Sequence, residues 1–444
     1  METPSTPEPG QPLAPRPLTM QDARTLALAA LGGALEFYDF IIFVFFTTAI
    51  GQLFFPPDTA EWLRQLQSFG LFAAGYLARP LGGIVMAHFG DRTGRKRMFS
   101  LSVFLMAVPT LLIGALPTYA TAGYAAPLAL LVLRMLQGAA VGGEVPGAWV
   151  FVSEHVPKDR VGFACGTLTS GLTLGILLGS LVATAINKLY TPAEVLAFAW
   201  RVPFLVGGVF GFLAVFLRRW LAETPVFEEM RQRRALVQEM PLKAALRGHG
   251  SAVAVSMLLT WVLTAAIVVV ILMTPTLVQK LYNIPPAHAL EANSLATLSL
   301  TFGCVAFGLG ADRFGVSRAL GLGCLALLVT TFLLYRGVAQ APEHLIALYM
   351  LTGACVGVVG VVPTVMVRAF PAAVRFSGLS FSYNVAYAIF GGLTPLVVTL
   401  MVKSTPLAPA YYVAGLCVVG LGVAFYLQKE QAASGGAVIS RKVG

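Results

Sequence analysis

Five charged residues stand where charge is costly. Glu36, Asp39, Arg79, Arg134 and Glu144 each fall inside a long apolar run, of the length that crosses a bilayer. A charge at bilayer depth costs about 2.5–3.5 kcal/mol on insertion scales, so such residues usually face a partner or a polar path. Glu36 and Asp39 are three residues apart, roughly 4.5 Å along a helix axis and nearly on one face. Burial and a neighbouring cation push a carboxyl group's ionisation in opposite directions, so a buried acid can take or yield a proton as its surroundings change. Fully ionised, the five sum to −1, and one carboxylate lacks a full partner. Asp39 is the first candidate to carry that proton, Glu36 the second and Glu144 the third. A static set of salt bridges holding the helices together is the competing expectation.

Arg79 and Arg134 suit a carboxylate ligand, because guanidinium offers a planar fork of donors and keeps its charge. Arg134 could equally serve only to neutralise Glu36 or Glu144. Tyr38, Gln137, Tyr383 and Asn384 are candidates to orient a substrate by hydrogen bonding, or to satisfy a neighbour in the bundle. Arg201, at the outer end of its span, reads as an interfacial anchor.

The elements that must position these groups are membrane helices. The chain has 444 residues, 57% hydrophobic and 11% charged, with mean hydropathy +0.79; soluble proteins carry roughly 25% charged residues. Twelve spans are expected, over 25–50, 66–88, 98–116, 125–150, 161–186, 202–217, 251–274, 292–311, 319–335, 345–367, 376–402 and 408–427. This is an all-α membrane protein of two pseudo-symmetric six-helix bundles. The expected organisation is a disordered cytoplasmic tail (1–24), an N-terminal bundle (25–217), a cytoplasmic linker (218–250), a C-terminal bundle (251–427) and a short tail (428–444). Phe227, Met230, Val237 and Met240 give the linker the look of a surface helix lying on the membrane face.

Of the 30 Lys and Arg residues, 22 fall in alternate segments on one side, Arg218 among them, and six on the other; Arg79 and Arg134 remain within spans. That bias places both termini in the cytoplasm of a plasma membrane protein, a bacterial inner membrane being the expected one. It also explains the net charge of +10 without a nucleic-acid partner. The five cysteines and five histidines show no metal-ligand spacing, so neither metal nor cofactor is expected. No nucleophile motif or phosphate loop points to an enzyme.

The halves repeat one another. Gly90–Arg97 reads GDRTGRKR after the second span, and Gly310–Arg318 reads GADRFGVSR after the eighth. Parallel repeats of this kind are a transporter architecture, with a site between two bundles. On these residues the chain resembles the major facilitator superfamily, whose signature loop matches Asp91, Arg92, Gly94 and Arg95, with Asp312 and Arg313 in the repeat. The resemblance implies a latch for the outward-open state. An aspartate there can face the positive end of a neighbouring helix.

A finer resemblance is to the metabolite–proton symporter branch. It rests on Ala34–Phe40 (ALEFYDF), Arg79–Gly83 (RPLGG), Arg134–Gly138 (RMLQG) with Gly142–Glu144, Glu154–Pro157 (EHVP), Trp200–Phe204 (WRVPF), Glu223–Pro225 (ETP) and Tyr383–Asn384. Val145–Pro146 departs from that pattern, and Pro146 is expected to bend the fourth span. The expected function is proton-coupled uptake of a small organic acid or zwitterion by a monomer in the lipid bilayer. A sugar-porter-like symporter and an efflux antiporter are the alternatives.

Overall fold

The computed structural model describes residues 17–221, 223–232 and 241–433. Among these, every regular element is helical. Six long helices come first: α1 (Met20–Phe45), α2 (Glu61–Thr93), α3 (Arg95–Ala115), α4 (Ala125–His155), α5 (Val161–Leu189) and α6 (Arg201–Arg218). Two short linker helices follow, Pro225–Gln232 and Pro241–Gly248. The second set is α7 (Gly250–Tyr282), α8 (Pro286–Phe314), α9 (Val316–Gln340), α10 (Pro342–Ala369), α11 (Arg375–Val402) and α12 (Ala408–Ala433).

Eleven of the twelve are long and apolar enough to cross a membrane by length and composition. The other, α2, is 33 residues long, about 50 Å, but carries Arg79, Asp91 and Arg92. Large apolar side chains such as Leu77, Leu81, Val209, Phe302, Leu322 and Phe425 point outward and are more than half exposed, as a lipid-facing surface requires. The sequence expectation of an all-α, twelve-span membrane protein is therefore met.

Several boundaries differ from expectation. Helix α1 starts inside the segment assigned to the tail, because Thr19 and Asp22 form a reciprocal cap: Asp22 N–H donates to Thr19 Oγ1 (3.2 Å) and Thr19 N–H to Asp22 Oδ2 (2.9 Å), a capping box. Most of that tail, 1–16, lies outside the described residues. So does 434–444 of the C-terminal segment, while 428–433 continues α12. Helix α4 runs through Pro146 to His155. Its counterpart α10 does not stay regular: it tightens into a 3₁₀ turn at Gly357–Gly360, where a Cβ on Gly357 would strike the backbone of Gly303 in α8. The first linker helix buries Phe227 at 2% exposure, near Gly94, so that side chain packs on protein. Val237 and Met240 lie outside the described residues.

Helices in lipid gain nothing from hiding apolar surface from water, so their packing depends on close approach of small residues. Both halves use this device. A Cβ added to Gly138 or Gly142 of α4 would collide with the carbonyls of Gly75 and Arg79 in α2; one added to Gly353 of α10 would collide with that of Ala296 in α8. The halves meet along α5 with α8 and α2 with α11.

Candidate functional site

Arg79 sits at the seam of the halves. It projects from the middle of α2 and is 1% exposed. Three tyrosines surround its guanidinium: Tyr387 with its ring centroid at 4.4 Å, Tyr76 at 5.4 Å and Tyr383 at 5.7 Å. Tyr76 comes from α2; Tyr383 and Tyr387, one turn apart on α11, come from the other half. The Tyr76 and Tyr387 rings stack at 5.4 Å, and Tyr383 stands edge-on to Trp149 of α4 at 5.1 Å. Aromatic faces attract cations, so the arrangement helps keep a buried positive charge in place.

Tyr383 and Tyr387 also wall a narrow central cavity, with Phe37 of α1, Trp149 of α4 and Thr169 and Thr173 of α5 among its other walls; α7 and α10 add Leu263, Ile267 and Val359. Trp149 Nε1–H donates to Thr169 Oγ1 (3.2 Å), and Thr173 pairs with Thr301 of α8 across the halves (3.1 Å). The space thus combines aromatic faces, a few hydroxyls and, behind the tyrosines, one guanidinium. The space is small, about 40 Å³, and Arg79 stands behind its walls; with the rings parted, these groups suit a carboxylate on Arg79 and an apolar or cationic body against the rings. Sequence reasoning missed Phe37, Tyr76, Trp149, Thr169 and Thr173. Only helical spacing from charged neighbours could have marked them, and lipid-facing aromatics show the same spacing.

The other substrate candidates are not all brought to this cavity. Arg134 is fully buried within the first half. Its Nη1 donates to Gln137 Oε1 (2.9 Å), Gln137 Nε2 donates to Thr110 Oγ1 of α3 (2.7 Å), and the guanidinium lies 4.1 Å from the Phe43 ring centroid. Tyr38 turns the opposite way from Phe37: its hydroxyl donates to Pro203 O of α6 (3.0 Å), with its ring edge-on to Phe210. Asn384 Nδ2 donates to Gly142 O (2.6 Å), tying α11 to α4.

The five charges do not form one cluster. Arg218, assigned to the linker from sequence, closes α6 and is fully buried. Its Nη2 lies 2.6 Å from Glu36 Oε1 and 3.3 Å from Glu144 Oε1. The C-terminal end of a helix favours a cation, and the guanidinium passes beside Gly32 of α1. With Arg218 added, the charges at most 2% exposed among the described residues are three acids and three bases, which corrects the expected sum of −1. Asp39 stays apart from them. It is fully buried between α1 and α6, against Gly207 and Gly211. Neither of its oxygens has a hydrogen-bond or ion-pair partner among the described residues.

At both loops where a latch is expected, an aspartate bonds across the halves. Asp91 Oδ2 accepts from Ser377 N–H (3.0 Å) and Oγ–H (2.8 Å) at the start of α11. Asp312 accepts from the N–H groups of Gly162 and Phe163 (both 2.7 Å) at the start of α5. Each aspartate thus crosses to the other half and meets the positive end of a helix. Gly94 (φ 122°) and Gly315 (φ 94°) turn the two loops in a conformation that L side chains rarely adopt. Glu154 of α4 adds an ion pair to Arg375 of α11 (3.0 Å) and accepts from Thr224 Oγ1 (2.9 Å). Arg92 and Arg313 are exposed, while the Arg95 side chain lies outside the described residues. These contacts join the two halves across this face.

With that geometry in hand, comparison with known proteins is informative. The sequence profile of the Major Facilitator Superfamily matches residues 28–395. The chain is 31% identical over 407 residues to a citrate-proton symporter of Klebsiella pneumoniae, covering 90% of each chain. It is 29% identical over 428 residues to a proline/betaine transporter of Escherichia coli (strain K12), covering 91% of this chain and 85% of that one. Among solved structures, the proton:xylose symporter XylE bound to 6-bromo-6-deoxy-D-glucose superposes with a TM-score of 0.76 at 18% identity, covering 92% of this chain and 95% of that one, a likeness of fold.

Proposed function

The chain belongs to the major facilitator superfamily, and from that premise we propose that it takes up a small zwitterionic or monocarboxylate solute together with a proton, by alternating access. The observation that carries the reading is Arg79 held among Tyr76, Tyr383 and Tyr387 at the junction of the halves, beside the central cavity. One guanidinium matches one carboxylate, and the aromatic walls suit an apolar or cationic remainder. A tricarboxylate would require more than one cation at the cavity. The relatives named for proline/betaine and for citrate mark these two possibilities, and the site favours the first.

In this reading Asp39 carries the coupled proton. A buried carboxylate with no cation beside it has the proton as its simplest partner, and a shift of α6 against α1 exposes it. The closed face with its two aspartate latches is the cytoplasmic side of a plasma membrane, following the Lys and Arg bias, so the described state is closed to the cytoplasm. Arg79 engages the carboxylate when the tyrosine rings part. That closes the halves around the solute and later lets the latches release.

Proteoliposomes on a capacitive electrode, challenged with glycine betaine, proline, citrate and xylose under an inward proton gradient, test this. Current is expected with glycine betaine or proline and is lost in Arg79→Ala. Current with citrate alone overturns the substrate class, and current with xylose alone overturns the use of Arg79 as a carboxylate ligand. Asp39→Asn is expected to lower gradient-driven uptake by roughly two orders of magnitude; undiminished uptake removes Asp39 as the carrier.

A further inference from the structure

Two carboxylates share one guanidinium atom in the first half. Glu36 Oε1 and Glu144 Oε1 both contact Arg218 Nη2, at 2.6 and 3.3 Å, so the two oxygens lie less than about 6 Å apart, within range of strong mutual repulsion if both are charged. None of the three residues is more than 2% exposed. With both acids ionised the group carries −1 in a place that water does not reach. One proton makes it neutral, and two carboxylates that share a site commonly hold one proton between them.

Among the described residues, Arg218 is the one cation that acts on Glu36. The charged groups that act on Glu36 are Arg218, Glu144 and Asp39. From α5, the residues facing this part of α1 at Gly33 are Leu168 and Leu172; from α3, Val103 packs beside Leu35 and Ala214. On the Glu144 side, Tyr383 of α11 is the titratable neighbour. Arg79 of α2 brings its backbone carbonyl to Gly142, with its guanidinium among the tyrosines. Arg134, on α4 itself, is directed to Gln137.

We propose that Glu36 and Glu144 hold one shared proton on Arg218 and form a second proton site, lying between Asp39 and the cytoplasm. The inference deepens the symport reading and rests on it for direction: Glu36 precedes Asp39 on α1, and Arg218 ends α6 where the linker begins. When this end opens, the pair yields its proton to water and goes from 0 to −1. It then takes the proton of Asp39 and returns to 0, leaving the Asp39 carboxylate. One proton has left Asp39 and one has reached the cytoplasm.

Infrared difference spectroscopy of the full-length chain in lipid reads this directly, because protonated carboxyl groups give a carbonyl-stretch band that ionised ones lack. The wild type is expected to show two such bands. Asp39→Asn removes one. Glu144→Gln removes the other, since Glu36 is then matched one-to-one by Arg218. Glu144→Gln combined with Arg218→Gln restores a band, because Glu36 is left with no cation; a purely structural role would not produce that return. A Glu144→Gln spectrum that keeps both bands overturns the proposal. Loss of a band in Glu144→Gln with none lost in Asp39→Asn supports the second site and removes Asp39 as carrier, so the two readings fail separately.

Discussion

In the first six helices the deeply buried polar groups include six charges: Glu36, Asp39, Arg79, Arg134, Glu144 and Arg218, none more than 2% exposed. In the last six, the buried polar groups among the described residues are hydroxyls and amides, with no charge. There Tyr349 meets Asn293 and the Val270 carbonyl, Thr274 meets Tyr335, and Tyr412 joins Trp261 to Thr394. Yet the scaffolds match. Glycines bring α4 onto α2 and α10 onto α8 in the same way, and each half sends one aspartate to a helix start in the other. One repeated frame thus encloses two chemistries. A charged interior changes its energy when a proton binds; a neutral hydrogen-bonded one can only exchange partners. The proposed reading accordingly puts coupling in the first half and the solute at the junction, where Arg79 lies against tyrosines of α11.

The largest test removes a charge from the charged half. Arg218→Met leaves Glu36 and Glu144 buried without their cation, and breaking a buried pair typically costs about 3–5 kcal/mol. Arg368→Met, in the other half, removes a partner of Asp312 at 3.7 Å whose side chain is 36% exposed, and is expected to cost less than about 1 kcal/mol. Unfolding in detergent compares the two. Similar losses would mean that the charged interior is no more integral to the fold than a surface pair.

The latches test the symmetry of the frame. Asp91→Asn and Asp312→Asn each replace charge-assisted hydrogen bonds with neutral ones. Such bonds contribute about 1.5–3 kcal/mol, so losing most of that shifts the balance toward the cytoplasm-open state roughly tenfold to a hundredfold. Cys165 of α5 is buried, three residues from the Gly162 amide that Asp312 holds, and its rate of alkylation reports the opening. Equal acceleration in both variants is expected. Acceleration in only one would show that the repeat is a likeness of sequence without equal mechanical weight.

Much of this frame was legible because it rests on local rules. Apolar runs mark the helices, glycines mark close approach, and the loops of Asp91 and Asp312 carry the family resemblance, which brought with it the expectation that an aspartate there faces a helix start. What stayed hidden depends on the direction of a side chain. Arg218 sits beside Arg219 at the end of a span, and adjacent arginines read alike as cytoplasmic charge; only the packed helices show that Arg218 turns inward. Tyr38 and Phe37 are likewise neighbours that point to opposite seams. The cavity wall drew on Trp149, Thr169 and Thr173, whose types are equally at home in any membrane bundle.

The smallest effect is expected in the neutral half, at Tyr349. Its hydroxyl lies 2.5 Å from Val270 O and 2.6 Å from Asn293 Oδ1. One hydroxyl proton serves one acceptor at a time, so the second contact needs the Asn293 amide to turn and donate. Tyr349→Phe removes both contacts while keeping the ring, at a cost of about 1 kcal/mol. Because no charge lies in this network, the variant is expected to lose that much stability and to keep the wild-type ratio of proton to solute flux. A Tyr349→Phe protein that leaks protons or transports without them would place proton handling in the second half as well, and the division between a charged half that couples and a neutral half that shapes would fall.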